Sequence, residues 1–302
     1  RAGGILRPAG VRCRPLMLLD PRLRAQLERL ALGVRGRVTA QWAGRHSSTR
    51  LGESLDFADY RPYQPGDDYR RIDHNLRARL GIVMVRQFEA EQELPLDIVV
   101  DLSGSMEMHD KATSARTLAA MVAYMGLASG DRVRLWAVPG DGVRTEIQGP
   151  AGRHLAAWPL LESWLESRPA GGGASLRPLG RRLAASGGAV VLVSDLLVEE
   201  WREVLDALAP TAGGLVLHVL SRQELYPPLA GDLDLVDSET GTRLAVSMSE
   251  EAVRNYQKAV EDFALEASRR SRRAGLDYLL VEAGPDAAER ALEGLARREV
   301  VR

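Results

Sequence analysis

From about residue 94 onward the apolar positions follow two alternating rhythms. LDIVV at 96–100, Ala189–Val193 and Leu215–Leu220 are short, nearly unbroken apolar runs. They read as strands buried on both faces, since a half-exposed strand would alternate apolar with polar. Between such runs the period changes to that of a helix. In Lys111–Leu127, Leu118, Met121, Val122 and Met125 fall at i, i+3, i+4 and i+7. Helices are likewise expected over Leu155–Leu165, Leu176–Ala185, Glu199–Leu208, Glu250–Ala274 and Asp286–Arg297, and strands over Val133–Val138 and Leu276–Val281. Ser249 followed by two glutamates marks the start of the longest helix. Residues 233–247 read as a hairpin about Thr240-Gly241. Strands alternating with amphipathic helices predict an α/β fold, a Rossmann-like, mostly parallel sheet flanked by helices.

The upstream part is less regular. Pro21, Leu23, Leu27 and Leu30 predict an amphipathic helix with proline in its first turn. Residues 33–75, rich in Gly, Ser, Asp, Arg, Tyr and Pro, show no clean period and read as a structured loop region. Residues 81–90 are β-rich. No run approaches the roughly 18 apolar residues of a membrane span, and the N-terminal arginines are followed by only four consecutive apolar residues, short of a secretory signal. Cys13 is the one cysteine, which excludes an internal disulfide and a cysteine-based zinc centre. A cytoplasmic protein is the expectation.

The net charge of −1 conceals an asymmetry. Residues 1–50 hold 11 arginines against Asp20 and Glu28, so a basic arm precedes an acidic body. All but Lys111 and Lys258 of the 40 basic residues are arginine. Arginine clusters attract phosphate without sequence preference, but no recognised nucleic-acid module accompanies this one, and no specific nucleic acid is expected. No G-x-x-x-x-G-K-[ST] phosphate loop occurs, and no G-x-S-x-G nucleophile elbow.

The chemistry concentrates at Asp101-Leu102-Ser103-Gly104-Ser105, directly after the strand LDIVV. In open α/β sheets ligands sit beyond the carboxyl ends of the strands. One carboxylate and two hydroxyls on a tight turn offer hard oxygen ligands, suited to Mg²⁺. The apolar strand 189–193 also ends in a carboxylate, Asp195. The two aspartates meet if these strands are neighbours, and the glycine-rich turn 171–175 could join the same rim. This arrangement resembles the metal-ion-dependent adhesion site of von Willebrand factor A-like domains. The resemblance implies Mg²⁺ or Mn²⁺ held by Asp101, Ser103, Ser105 and Asp195, with an open position for a partner's carboxylate. It departs from the family pattern at Ala174, where a ligand threonine is usual. Ser175, one residue on, offers a substitute hydroxyl.

Residues 51–74, LGESLDFADYRPYQPGDDYRRIDH, carry a second resemblance. Gly52, Ser54, Asp56, Phe57, Arg61, Tyr63, Gly66, Asp67, Asp68, Arg70, Ile72 and Asp73 fit the signature of the domain of unknown function 58 family, with His74 where tryptophan is usual. That family places the signature ahead of a von Willebrand-type domain. The implied organisation is a basic arm over 1–19, a family-specific region over 20–93 that braces the core, and a von Willebrand factor A-like domain over 94–302 with a hairpin insertion near 232–247. Arg61, Tyr63, Asp67, Asp68, Arg70 and Asp73 read as an ion-pair network pinning that region, or as a partner surface. The resemblance implies a non-enzymatic, metal-dependent adaptor or co-chaperone for a MoxR-type AAA+ ATPase and a client protein, in protein assembly or maturation. The alternative is a Mg²⁺-dependent phosphoryl-transfer hydrolase using the strand-end carboxylates.

Overall fold

The computed structural model describes residues 17–33, 57–64, 67, 69, 72–88, 95–138, 147–171, 176–227, 231–236 and 243–297. Its centre is a six-stranded sheet. The apolar runs form β3 (Pro95–Asp101), β6 (Ala189–Ser194) and β7 (Gly214–Leu220), joined by β4 (Arg132–Val138), β5 (Ile147–Gly152) and β10 (Leu276–Glu282). The order is β10-β7-β6-β3-β4-β5. All pairs are parallel except β4–β5, which is antiparallel and lies at the edge.

Alternate residues of β3 serve opposite cores, as the period-2 geometry of a strand requires. Leu96, Ile98 and Val100 pack with α1 (Pro21–Gly33), α3 (Lys111–Ser129), α4 (Trp158–Glu166) and α9 (Ala287–Arg297). Val99 faces the other layer, built from α5 (Arg177–Ser186), α6 (Trp201–Ala207) and α8 (Glu250–Arg273). Helix α3 is buried along most of its length because the sheet lies on one side and α1 and α9 on the other. A helix so enclosed has to be apolar nearly all round. It ends at Gly130, whose left-handed φ of 82° suits a residue without a Cβ. Gly214 opens β7 where a Cβ would come within 1.8 Å of the Val190 carbonyl oxygen, so only glycine allows β6 and β7 to pair there.

Helix α1 is tied to the body through Leu19, Leu23 and Leu27. Arg24 also donates to Glu162 at 2.6 Å, and the Tyr124 hydroxyl donates to Glu28. A separate antiparallel pair, β1 (Phe57–Pro62) with β2 (Met84–Phe88), flanks α2 (His74–Leu80). β8 (Gly231–Val236) and β9 (Arg243–Met248) form the expected hairpin; its turn lies outside the described residues. α7 (Arg222–Leu225) follows β7 directly. Among the described residues no helix is long and apolar enough to cross a membrane.

The structure corrects three expectations. The loop assigned to 33–75 contains β1 and the start of α2. β1 (FADYRP) has polar residues on both faces and ends in proline, so it carries little strand signal. β5 (IQGPAG) was not expected at all, since glycine and proline are tolerated in a strand mainly at an unpaired edge. The helix expected over Leu155–Leu165 is a 3₁₀ turn, Leu155–Ala157, followed by α4, with Pro159 near the start of α4 where its missing N–H costs nothing.

Candidate functional site

β3 and β6 are neighbours, so their carboxyl ends bring Asp101 and Asp195 to one rim. Both side chains are fully buried. Asp101 Oδ1 accepts from the Ser103 amide at 2.9 Å, and Oδ2 accepts from the Ser194 hydroxyl at 2.6 Å. The Ser194 hydroxyl in turn accepts from the Leu196 amide at 2.9 Å. Ser103 and Ser105, on the 3₁₀ turn that follows β3, set their hydroxyls 3.1 Å apart. Burial, and next the charge of Asp195, push the Asp101 carboxyl up to about 6; the bonds from Ser194 and Ser103 pull only partly the other way.

Two further residues complete the site. Lys111, the first residue of α3, is fully buried, and its ammonium donates to Asp195 Oδ2 at 2.8 Å and to Glu224 Oε1 at 2.5 Å. Burial alone would lower its pKa, but the charges of Asp195 and Glu224 outweigh that, and the net direction is upward. Glu224 is itself held: Oε2 accepts from the Ser221 amide and hydroxyl in a capping box at the start of α7. Asp195 Oδ1 accepts from the Leu197 amide at 3.1 Å. The sequence signal for Lys111 was its identity, one of two lysines in an arginine-rich chain. Glu224 carried only the Ser-x-x-Glu capping pattern at 221–224.

His218 supports the site from below. It is buried in β7, where its Nε2 lies 2.9 Å from the Asp195 carbonyl and its Nδ1 2.6 Å from the Tyr278 hydroxyl. Burial pushes it down to about 4, so the ring is neutral near pH 7. A carbonyl can only accept, so Nε2 carries the proton and Tyr278 donates to Nδ1.

The loops around this cluster are strained. Among the described residues the non-glycine positions with positive φ are His109, Asp110 and Leu196, at 51°, 62° and 55°. Asp110 and Leu196 directly adjoin Lys111 and Asp195, His109 precedes Asp110, and such strain concentrates at functional sites. Met108, Leu197 and Tyr226, which follow β3, β6 and α7, are 43%, 48% and 61% exposed. The third loop also reaches the rim: the Gly171 amide donates to the Leu102 carbonyl at 2.8 Å. Gly172, Gly173, Ala174 and Ser175 lie outside the described residues.

The donor set fits a hard divalent cation. Its atoms are carboxylate and hydroxyl oxygens, and the 3.1 Å between the Ser103 and Ser105 hydroxyls matches the edge of about 3 Å in an octahedral Mg²⁺ shell. Asp101, Asp195 and Glu224 against Lys111 leave an excess of negative charge. Among the described residues no three His, Cys, Asp or Glu side chains converge as a metal centre, so the serines would have to contribute.

The second predicted cluster is carried by β1 and the segment leading into α2. Arg61 on β1 pairs bidentately with Asp67, at 2.7 and 2.5 Å. The Gln64 amide also donates to Asp67. The Arg61 bonds hold the Asp67 carboxyl below its ordinary value. Asp73 accepts from the Tyr60 hydroxyl at 2.9 Å and caps α2 through the Leu76 amide. Tyr63 is exposed. Asp68 and Arg70 lie outside the described residues.

Uncharacterized proteins of Mycobacterium bovis (Mb1516) and Mycobacterium tuberculosis (Rv1480) are 30% identical to this chain over 280 residues, covering 88% of it and 87% of each relative. A crystal structure of the conserved hypothetical protein BatB from Bacteroides thetaiotaomicron aligns with 68% of this chain and 98% of its own, at 17% identity and a TM-score of 0.42. The family described as "Protein of unknown function DUF58" matches residues 59–265, and the chain belongs to that family.

Proposed function

We propose that this protein is a non-enzymatic, cation-dependent protein-interaction module that docks its partner at the carboxyl edge of the central sheet. The observation that carries this reading is the meeting of Asp101, Ser103 and Ser105 with Asp195 on adjacent strand ends, with Met108, Leu197 and Tyr226 exposed in the segments that follow β3, β6 and α7. Exposed methionine and aromatic side chains are enriched at recognition patches. The finer reading is a von Willebrand factor A-like domain, in which Asp101, Ser103 and Ser105 would hold Mg²⁺ or Mn²⁺ with Asp195 beside them. A bound cation there would offer an open coordination position to a partner's oxygen ligand. The chain's own residues orient the ligand oxygens: Ser194 and the Ser103 amide fix Asp101, while the Leu197 amide fixes Asp195.

Family resemblance names the partner class, a MoxR-type AAA+ ATPase acting on a client protein. The hydrolase alternative finds less support. His218 spends both ring nitrogens on Tyr278 and the Asp195 carbonyl and is held neutral, so it is not available as a base. The test is co-purification with a MoxR-type ATPase, with Mg²⁺ and with a chelator. Association should require Mg²⁺ and fall about tenfold in Leu197→Ser, whose exposed side chain leaves the fold intact. Association that ignores both Mg²⁺ and Asp101→Asn would refute the reading.

A further inference from the structure

Lysine is rarely fully buried, and then only when paired. Lys111 is not an incidental case. Two successive left-handed residues, His109 and Asp110, precede it and turn the chain so that α3 begins with this side chain pointing inward. Its ammonium then lies between Asp195, a strand-end member of the cluster, and Glu224, which the α7 capping box holds in place. Both carboxylates are also fixed by other donors, Asp195 by the Leu197 amide and Glu224 by Ser221. Neither can swing freely away from the lysine.

We propose that Lys111 is the internal counter-ion of the site, and that its ammonium competes with a divalent cation for the negative field of Asp195. The proposal rests on the cation reading given above. Glu224 is the third member of the balance, because it draws part of the ammonium's charge away from Asp195. Two substitutions should therefore move cation affinity in opposite directions. Lys111→Met keeps an unbranched side chain one atom shorter and removes the charge, leaving Asp195 and Glu224 in need of a cation. Glu224→Gln commits the ammonium more fully to Asp195.

The experiment is calorimetric titration of the full chain with MgCl₂ and MnCl₂, with melting temperatures read in the presence and absence of each salt. Lys111→Met should bind about tenfold more tightly than wild type, given the like-charge repulsion removed at short range. Its melting temperature should rise more with added cation. Glu224→Gln should bind more weakly than wild type. If Lys111→Met folds only when Mg²⁺ or Mn²⁺ is present, that rescue supports the proposal. If it folds in neither condition, Glu224→Gln decides: weaker binding supports the proposal, and equal or tighter binding overturns it. Wild-type binding that Asp101→Asn abolishes and Lys111→Met leaves unchanged overturns the lysine proposal alone. Binding absent from wild type but present in Lys111→Met supports the lysine proposal and refutes native cation use. Binding absent from both overturns the two together.

Discussion

β3 buries two aspartates four residues apart on the same face, and the strand treats them in opposite ways. Asp97, near the amino end, is fully compensated. Arg134 donates to both of its oxygens at 2.7 and 2.5 Å, the Trp136 indole donates at 2.8 Å, and the Ser186 hydroxyl at 3.0 Å. Asp101, at the carboxyl end, receives only neutral donors and faces a second carboxylate. A buried charge is tolerable when paired and hydrogen-bonded. Asp97 meets that condition within the chain and is a structural device. Asp101 meets it only in part, since burial and the charge of Asp195 both disfavour its ionised form. The comparison separates a carboxylate that holds the fold from one that, on the proposed reading, would take a ligand.

The largest test of this contrast is a matched pair of isosteric substitutions. Asp97→Asn should destabilise the fold by about 3 kcal/mol, because it strips a mostly buried guanidinium of its carboxylate. Asp101→Asn should do the reverse at pH 7 without added cation and stabilise by about 1 kcal/mol or more, since it removes a charge disfavoured by burial and by Asp195. Denaturant midpoints of both variants measure this. Equal losses in the two would erase the distinction.

The pH dependence sharpens it further, because two buried groups act with opposite sign. Asp101, raised to about 6, takes up its proton in the folded state before the unfolded chain does, so acidification through 6 toward the ordinary carboxylate value adds stability. His218, lowered to about 4, is protonated first in the unfolded chain, so acidification from 6.5 to 4 removes stability. In wild type these contributions oppose each other. In Asp101→Asn the gain is gone, and stability should fall by about 2 kcal/mol more than in wild type between pH 7 and 4. Parallel profiles for the two proteins would show that Asp101 is not held in its raised state.

The comparison also explains what could be read from residue patterns. The apolar runs of β3, β6 and β7 and the periodic face of α3 were legible because double-sided burial leaves few alternatives. Asp101 and Asp195 were legible as strand-end carboxylates in a recognisable D-x-S-x-S context. Asp97 was not, although it interrupts an apolar run, since nothing local announces that Arg134, Trp136 and Ser186 converge on it. Lys111 and Glu224 were missed for the same reason: 113 positions separate them, and only the folded chain brings them within 2.5 Å. β1 and β5 escaped because edge and two-stranded pairings demand little apolar periodicity.

The most direct measurement of the central claim is the effect of Mg²⁺ on folding stability in wild type and Asp101→Asn. A ligand that binds only the folded state stabilises it, by about 2.7 kcal/mol at a hundredfold excess over its dissociation constant. Mg²⁺ should raise the denaturant midpoint of wild type and leave that of Asp101→Asn unchanged. A wild-type midpoint indifferent to Mg²⁺, or an equal rise in both proteins, would contradict the account.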